Sequence, residues 1–391
     1  MSRTPAVRDE EDALPEADRL EGFPHPRETR VLFGHAAAER ELAHAFSGGR
    51  MHHAWLIAGR EGIGKATLAY RLARHALARP VERSPDSLEV GADSVAARQV
   101  AALSHPGLLV LRRPYDQRSK RFGASIPIDE VRRLRSFLGL TAAEGAWRVV
   151  VVDTADELNL NAANALLKSL EEPRARVLFL LVSSEPGRLL PTIRSRCRRL
   201  DLAPLAGTDL RAACEAALAA AGMEAPGAQQ WPLLERLAQG SVRRALLLAG
   251  SGGLELHERI DRMIAALPVI DWQTAHALAD QMAHPVQEQR FEAFLDLLLD
   301  HLARLVRARA VGGGTPEATL AQRLIGEGRL PAWAALWESV VRERSEAALL
   351  NLDRRALILG TLARLEALAR QEGDGLAPAP GRWRSPQNRD S

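Results

Sequence analysis

Residues 59–67 read Gly-Arg-Glu-Gly-Ile-Gly-Lys-Ala-Thr and follow directly on an apolar run, Ala54-Trp55-Leu56-Ile57-Ala58. A Gly, four residues and then Gly-Lys is the spacing of a phosphate-binding loop. Its glycines let backbone N–H groups close around phosphate oxygens, and its lysine reaches the terminal phosphates. Such a loop constrains a fold tightly, because it needs a buried strand in front of it and a helix behind it. Both are legible here, the helix running from Thr67 towards Leu77. Gly59, Gly62, Gly64 and Lys65 are the candidate phosphate-binding residues. The next position calls for a Ser or Thr hydroxyl to hold Mg²⁺, and it is Ala66. Thr67 comes one residue late, which on a helix turns its hydroxyl away by about 100°.

Three more apolar runs predict strands: 108–111, 148–153 with its four consecutive valines, and 177–182. Helical periods lie between them, one opening at Ile126-Pro127-Ile128-Asp129-Glu130 and one over 162–170. Continuous apolar strands alternating with helices indicate a parallel sheet covered on both faces. The segment 79–104 looks like an insertion of weak periodicity. After Pro204 the strands stop. Two or three helices fill 206–254, and 255–372 is helical throughout. The Pro-, Gly- and charge-rich stretches 1–25 and 373–391 read as disordered tails. The predicted architecture is thus an α/β phosphate-loop domain at 26–205, a small helical domain at 206–254 and an all-α domain at 255–372. In that last region Leu295, Leu298, Leu299, Leu302 and Leu305 form more apolar surface than one helix pair can hide, so part of it is expected to bury against other subunits.

Composition narrows the function. Hydrophobic residues at 46% and charged residues at 26% fit a soluble globular protein. No apolar run approaches the ~20 residues of a membrane span, and the acidic, Pro-rich start is unlike a signal peptide, so the expected location is the cytoplasm. Two cysteines, Cys197 and Cys214, exclude a disulfide framework and a four-cysteine zinc site. The net charge of +3 permits a nucleic-acid partner without requiring one.

The valine strand ends in Asp153, where a strand-tip carboxylate would hold Mg²⁺ through water. The residue after it is Thr154, which has no carboxylate to orient an attacking water and cannot act as a general base at neutral pH. Asp153 also suits a plain helix-capping role. Downstream, Ser195-Arg196-Cys197 sits among Arg188, Arg194, Arg198 and Arg199. An arginine cluster is often only a solvated face, but the guanidinium fork also suits a phosphate presented by a neighbouring subunit.

Ala163-Asn164-Ala165-Leu166-Leu167-Lys168-Ser169-Leu170-Glu171-Glu172-Pro173, then Ser184-Glu185-Pro186, then Ile193-Arg194-Ser195-Arg196-Cys197 resemble the core signature of bacterial clamp-loader AAA+ subunits. His53-Ala54-Trp55-Leu56 resembles the family's approach to its phosphate loop, Ile126–Arg132 the helix before the Walker B strand, and Asn351-Leu352-Asp353-Arg354-Arg355 a C-terminal helix motif. The likeness runs from about residue 33 to 250. It implies an AAA+ module, a three-helix lid and a helical collar that joins a pentamer. The family contains ATP-hydrolysing subunits (gamma and tau) and a non-hydrolysing partner, and Ala66 and Thr154 point to the latter. On that reading Arg196 is an arginine finger for a neighbour's ATP site. Ser184 and Arg243, the latter in Gly240-Ser241-Val242-Arg243, take sensor-like positions; Arg243 equally suits a plain lid-helix start. The implied partners are gamma/tau, a delta subunit and, through the complex, the sliding clamp and primer-template DNA.

No cofactor is required on this reading, weak ATP or ADP binding stays open, and the absence of the family's zinc cysteines from 79–104 predicts no metal. Arg132, Arg133 and Arg135, with Arg112, Arg113, Arg118, Lys120 and Arg121 before them, are candidates for DNA contact or for plain solvated surface. The alternatives are a working gamma/tau-like ATPase, with Thr67 or water completing the metal shell, and a P-loop kinase or recombination motor.

Overall fold

Backbone pairing turns the four apolar runs into neighbouring strands of one parallel sheet. The computed structural model describes residues 15–370 except 85, 92, 120, 140–145, 251, 285–286 and 351–352, with backbone alone at 288–289 and 345–350. The strands are β1 (Ala54–Ala58), β2 (Leu108–Leu111), a two-residue antiparallel hairpin of β3 (Tyr115–Asp116) and β4 (Arg121–Phe122), β5 (Arg148–Asp153), β6 (Val177–Ser183) and β7 (Arg198–Asp201). The sheet order is β2-β5-β6-β1-β7, every pair parallel. Alternate side chains divide between two cores. Leu56, Val150, Val152, Phe179 and Leu181 pack with helices α4 (Ile128–Gly139) and α5 (Leu160–Glu171). Trp55, Ile57, Val149, Val151, Leu178 and Leu180 pack with α1 (Ala36–Ser47) and α2 (Lys65–Leu77). Burial on both faces is why these strands carry no polar alternation.

Strand β7 lay outside the predicted set. Its sequence, Arg-Arg-Leu-Asp, buries only Leu200, and as an edge strand it keeps its charges in water while Leu200 aligns with Ile57. The weakly periodic insertion is ordered by a few anchors: Ser94 caps α3 (Val95–Ala101), Arg83 bridges to Val90, and Leu88 and Val100 enter the second core.

The expectation of a disordered tail through residue 25 is corrected for residues 15–25; residues 1–14 lie outside the described set. Leu20 and Phe23 are buried, as is His25, and the acidic residues before them are paired. Arg112, just beyond β2, reaches Glu16 at 2.5 Å and Asp18 at 3.1 Å. Arg27 holds the other side of Glu16 at 2.7 Å, and His25 contacts Asp18 at 2.9 Å. Arg74 on α2 donates to the carbonyls of Arg27 and Thr29, so the segment is strapped along that helix. A composition rich in charge and proline gave no hint of this, because the pairs close across some ninety residues.

Three helices, α6 (Pro191–Arg194) aside, complete this unit: α7 (Gly207–Ala220), α8 (Trp231–Ala238) and α9 (Val242–Gly250), packed around Leu210, Leu218, Trp231, Leu234 and Leu246. The chain divides at residue 250 into two compact units. The second holds α10 (Gly253–Ala265), α11 (Trp272–Ala283), α12 (Glu288–Val311), α13 (Pro316–Leu324), α14 (Leu330–Leu350) and α15 (Arg354–Arg370). Here the expectation about apolar surface is overturned. Leu295, Leu298, Leu299, Leu302 and Leu305 are all buried within the unit itself, at most 7% exposed, because α10, α11, α13 and α14 all pack on α12. Arg364 grips Glu343 through two bonds of 2.6 Å, joining α15 to α14, and buried Glu366 accepts from Ile270 N and Trp272 Nε1. Asp353 caps α15 by accepting from Arg355 N; its neighbours 351–352 and the tail from 373 onward lie outside the described residues. No helix among the described residues is long and apolar enough to cross a membrane.

The strap makes a stability prediction. Burial by itself would raise the Glu16 and Asp18 carboxyls, but for Glu16 the Arg27 and Arg112 guanidiniums, and for Asp18 His25 and Arg112, outweigh it and hold both below the usual carboxylate range. Lowered folded-state values mean that this stabilisation is present above the ordinary carboxylate range and is lost as pH falls through the depressed values. Arg112→Ala leaves Glu16 with Arg27 and Asp18 with His25 as their remaining partners and should cost about 2–3 kcal/mol in denaturant unfolding at pH 7, with the difference from wild type shrinking on acidification. A variant as stable as wild type at pH 7 would show the strap to be incidental.

Candidate functional site

Chemistry in a doubly covered parallel sheet collects where strands end. The ends of β1, β5 and β6 deliver the phosphate loop, Asp153 and Ser183-Ser184 to one edge. In the loop, Gly59, Gly62 and Gly64 have φ of 147°, 75° and 104°. At Gly62 a Cβ would lie 2.4 Å from Ser241 Oγ and 2.5 Å from Arg243 Cβ, so conformation and space both demand glycine. Helix α2 opens at Lys65, and its N-terminal N–H groups face the loop as an anion site requires.

Lys65 is almost fully buried. Its ammonium donates to Arg60 O at 2.5 Å and to Ser184 Oγ at 3.0 Å, bringing the sensor-like serine onto the loop lysine. Burial pulls the lysine down to about 8, against the opposing pull of Asp153, Glu61 and Asp156. Ala66 packs against the second core and offers no oxygen. Asp153 is buried at the tip of β5, and among the described residues Oδ2 has no hydrogen-bond partner. Burial first, and then the Asp18 charge, raise it to about 8, with Lys65 acting in opposition. Thr154 gives a side-chain hydrogen bond to Glu157.

Asp156 went unnoticed in the sequence and organises the site. Its carboxylate accepts from Ser183 Oγ, from Ser184 N at 2.6 Å and from Glu185 N at 2.9 Å, fixing the turn that presents Ser184. The only signal available was a third carboxylate near a strand end, which is common. His35 was equally silent: its Nε2 lies 2.7 Å from Ile63 O and steadies the loop from the side opposite Ser184.

Arg243 also comes to the loop. Val242 N donates to Gly62 O at 2.8 Å, Arg243 Nε meets Glu61 at 3.2 Å, and Arg60 donates to Gln239 at 2.7 Å. The Gly240–Arg243 motif therefore lies directly on the phosphate loop.

Arg196 is elsewhere. It follows α6, and its guanidinium meets Glu171 Oε1 at 2.7 Å and Thr192 O at 2.9 Å, with no contact to the loop, Lys65 or Asp153. Of the surrounding arginines, Arg198 lies over the Trp55 ring and pairs with Glu41, and Arg199 pairs with Asp201. Burial pushes both thiols, Cys197 and Cys214, up to about 12, so neither is a ready metal ligand. Among the described residues no group of His, Cys, Asp and Glu is arranged to hold a metal ion.

The basic residues proposed for DNA are sorted by their partners. Arg112 serves the strap, and Arg113 pairs with Glu157 at 2.8 Å and lies over Phe122, which removes both from that set. Arg132 and Arg133 are exposed and paired with Asp129 and Glu130 one turn away, in pairs weak enough for phosphate to displace. Arg135 and Arg118 are exposed, and Lys120 lies outside the described residues.

A family model described as "DNA polymerase III, delta subunit" matches residues 34–206. The chain is 41% identical to a DNA polymerase III subunit delta prime of Pseudomonas aeruginosa over 152 residues, 38% of this chain and 43% of that one, so less than half of that relative is spanned. It is 32% identical to the tau subunit of Escherichia coli over 208 residues, 53% of this chain and 30% of that one. To the delta prime subunit of Escherichia coli it is 31% identical over 273 residues, 68% of this chain and 74% of that one. With a phosphate-loop sheet, a lid motif seated on the loop and this likeness over most of a relative's length, the chain belongs to the DNA polymerase III delta prime family of bacterial clamp-loader AAA+ subunits.

Proposed function

We propose that the chain is a hydrolysis-deficient stator of the bacterial clamp loader, which joins the pentamer and supplies Arg196 to a neighbouring subunit's ATP site. One observation carries this reading: its own site lacks the metal hydroxyl at Ala66 and the water-orienting acid at Thr154, while Arg196 stands half exposed and away from that site. Positioned base catalysis is typically worth ~10²–10⁴-fold, and losing it together with a metal ligand leaves little turnover. Lys65 and the loop glycines persist, so weak ATP or ADP binding is compatible with the reading, and no cofactor or zinc is needed. The partners are the gamma/tau ATPases and delta, with the sliding clamp and primer-template DNA met through the complex, Arg132, Arg133 and Arg135 being the DNA candidates. The helical unit from 251 serves as the collar, through faces other than the α12 leucines. The setting is the cytoplasm. A second reading, an active gamma/tau-like ATPase, draws on the likeness to tau, and Ala66 and Thr154 weigh against it.

The isolated chain should show no appreciable ATPase. Ordinary turnover that Lys65→Ala abolishes would establish the second reading instead.

Asp153 gives a pH test of the silent site. Its folded-state value, about 8, lies above the ordinary 3.8, so its contribution is fully present below the ordinary value and is lost as pH rises towards 8. Asp153→Asn removes that titration, and the variant's Tm should gain steadily on wild type between pH 5 and pH 8, by several degrees in all. A constant offset across that range would mean that Asp153 is not held in its uncharged form.

A trans arginine finger can be worth ~10³–10⁵ in rate. Arg196→Ala should therefore leave folding and assembly intact but lower the DNA-stimulated ATPase and clamp-loading rates of the reconstituted complex strongly. Arg196→Lys, which keeps the charge and loses the planar fork, should rescue only in part. Wild-type rates for Arg196→Ala would remove the finger role.

A further inference from the structure

The partner that Arg196 holds within its own chain suggests a further role, which rests on the finger reading above. Helix α5 ends at Glu171, with Glu172 as its C-cap and only Lys168 as a basic residue in its last turn. The C-terminal end of a helix carries the negative pole of the macrodipole, so two consecutive carboxylates there are unfavourable unless a cation comes close. Arg196 is that cation. It reaches across from the turn after α6, with Nη2 2.7 Å from Glu171 Oε1 and Nη1 donating to Thr192 O at 2.9 Å. Glu172 makes no such contact. The guanidinium fork is therefore ordered by one carboxylate and one carbonyl of its own chain.

We infer that Glu171 is a positioning residue that latches Arg196 in the resting subunit and yields it to the polyphosphate of a neighbour's nucleotide. The pair is suited to letting go: the Arg196 and Glu171 side chains are 34% and 46% exposed, and exposed ion pairs are weak. A nucleotide polyphosphate offers the same fork more charge and the same bidentate geometry. Because Glu171 competes with the phosphate for one cation, it lowers apparent nucleotide affinity without entering the chemical step. Removing a competitor that strengthens binding of ground and transition states alike changes KM and leaves kcat alone.

The test is steady-state, DNA-stimulated ATPase of the reconstituted complex as a function of ATP. Glu171→Gln keeps the shape of the side chain and removes the charge. It should lower the apparent KM for ATP about two- to fivefold with kcat unchanged, the range an exposed pair allows. Glu171→Asp should lie between the two. Glu172→Gln, whose carboxylate makes no contact with Arg196, should leave KM as in wild type, which separates a latch from a general effect of charge. In an Arg196→Ala background Glu171→Gln should shift nothing. The latch is overturned by an unchanged KM in Glu171→Gln, by a fall in kcat, by an equal shift in Glu172→Gln, or by a shift that persists without Arg196. If Arg196→Ala alone leaves the rates of the complex at wild-type level, the finger reading fails and the latch falls with it. If Arg196→Ala is defective and Glu171→Gln is silent, only the latch fails.

Discussion

A parallel sheet buried on both faces leaves its strand ends as the only backbone free for chemistry, and everything notable in this chain happens there. Side chains within β1, β5 and β6 are committed to two cores and have no freedom to act. Polar residues can enter only as each strand leaves the sheet, at Gly59, Asp153 and Ser183-Ser184. Those positions are adjacent because parallel strands all end at the same edge. Ala66, in α2, and Thr154, just past β5, both lie outside the sheet, so neither position is constrained by its packing.

What could be read from the sequence follows from that division. The apolar runs of β1, β2, β5 and β6 were unmistakable because burial on both faces removes every polar residue from them. The loop glycines were equally legible, since their backbone angles admit little else. Strand β7 was invisible: an edge strand needs only one apolar residue, and Leu200 among two arginines and an aspartate gives no period. The segment 15–25, read as disordered, differs for a related reason. Charge-rich composition predicts disorder only while the charges lack partners, and Glu16 and Asp18 find theirs in Arg112, far along the chain. The α12 leucines were misassigned because a sequence shows the apolar face of one helix and not how many helices will cover it.

Burial governs the electrostatics of the site. Burial pulls Lys65 down and pushes Asp153 up, and Asp18 on the strap pushes Asp153 further. Both shifts move towards loss of charge, the expected response of ionisable groups held away from water with incomplete hydrogen bonding. In a metal-loaded site the cation would reverse the direction for Asp153. Around Asp156, three donors from the Ser183–Glu185 turn surround the carboxylate. The Asp156 carboxylate thus has its hydrogen bonds filled, whereas among the described residues Asp153 Oδ2 has no hydrogen-bond partner.

Arg196 completes the contrast between the two ends of the molecule's chemistry. The lysine that faces its own loop is buried and bonded to a loop carbonyl and to Ser184. The arginine that follows α6 is half exposed, and its carboxylate partner is exposed as well. A buried ammonium loses several favourable contacts if it moves; an exposed guanidinium exchanges one weak pair for another. Physical chemistry thus assigns the two cations different kinds of work: the inner one holds a loop closed, and the outer one is free to change partners.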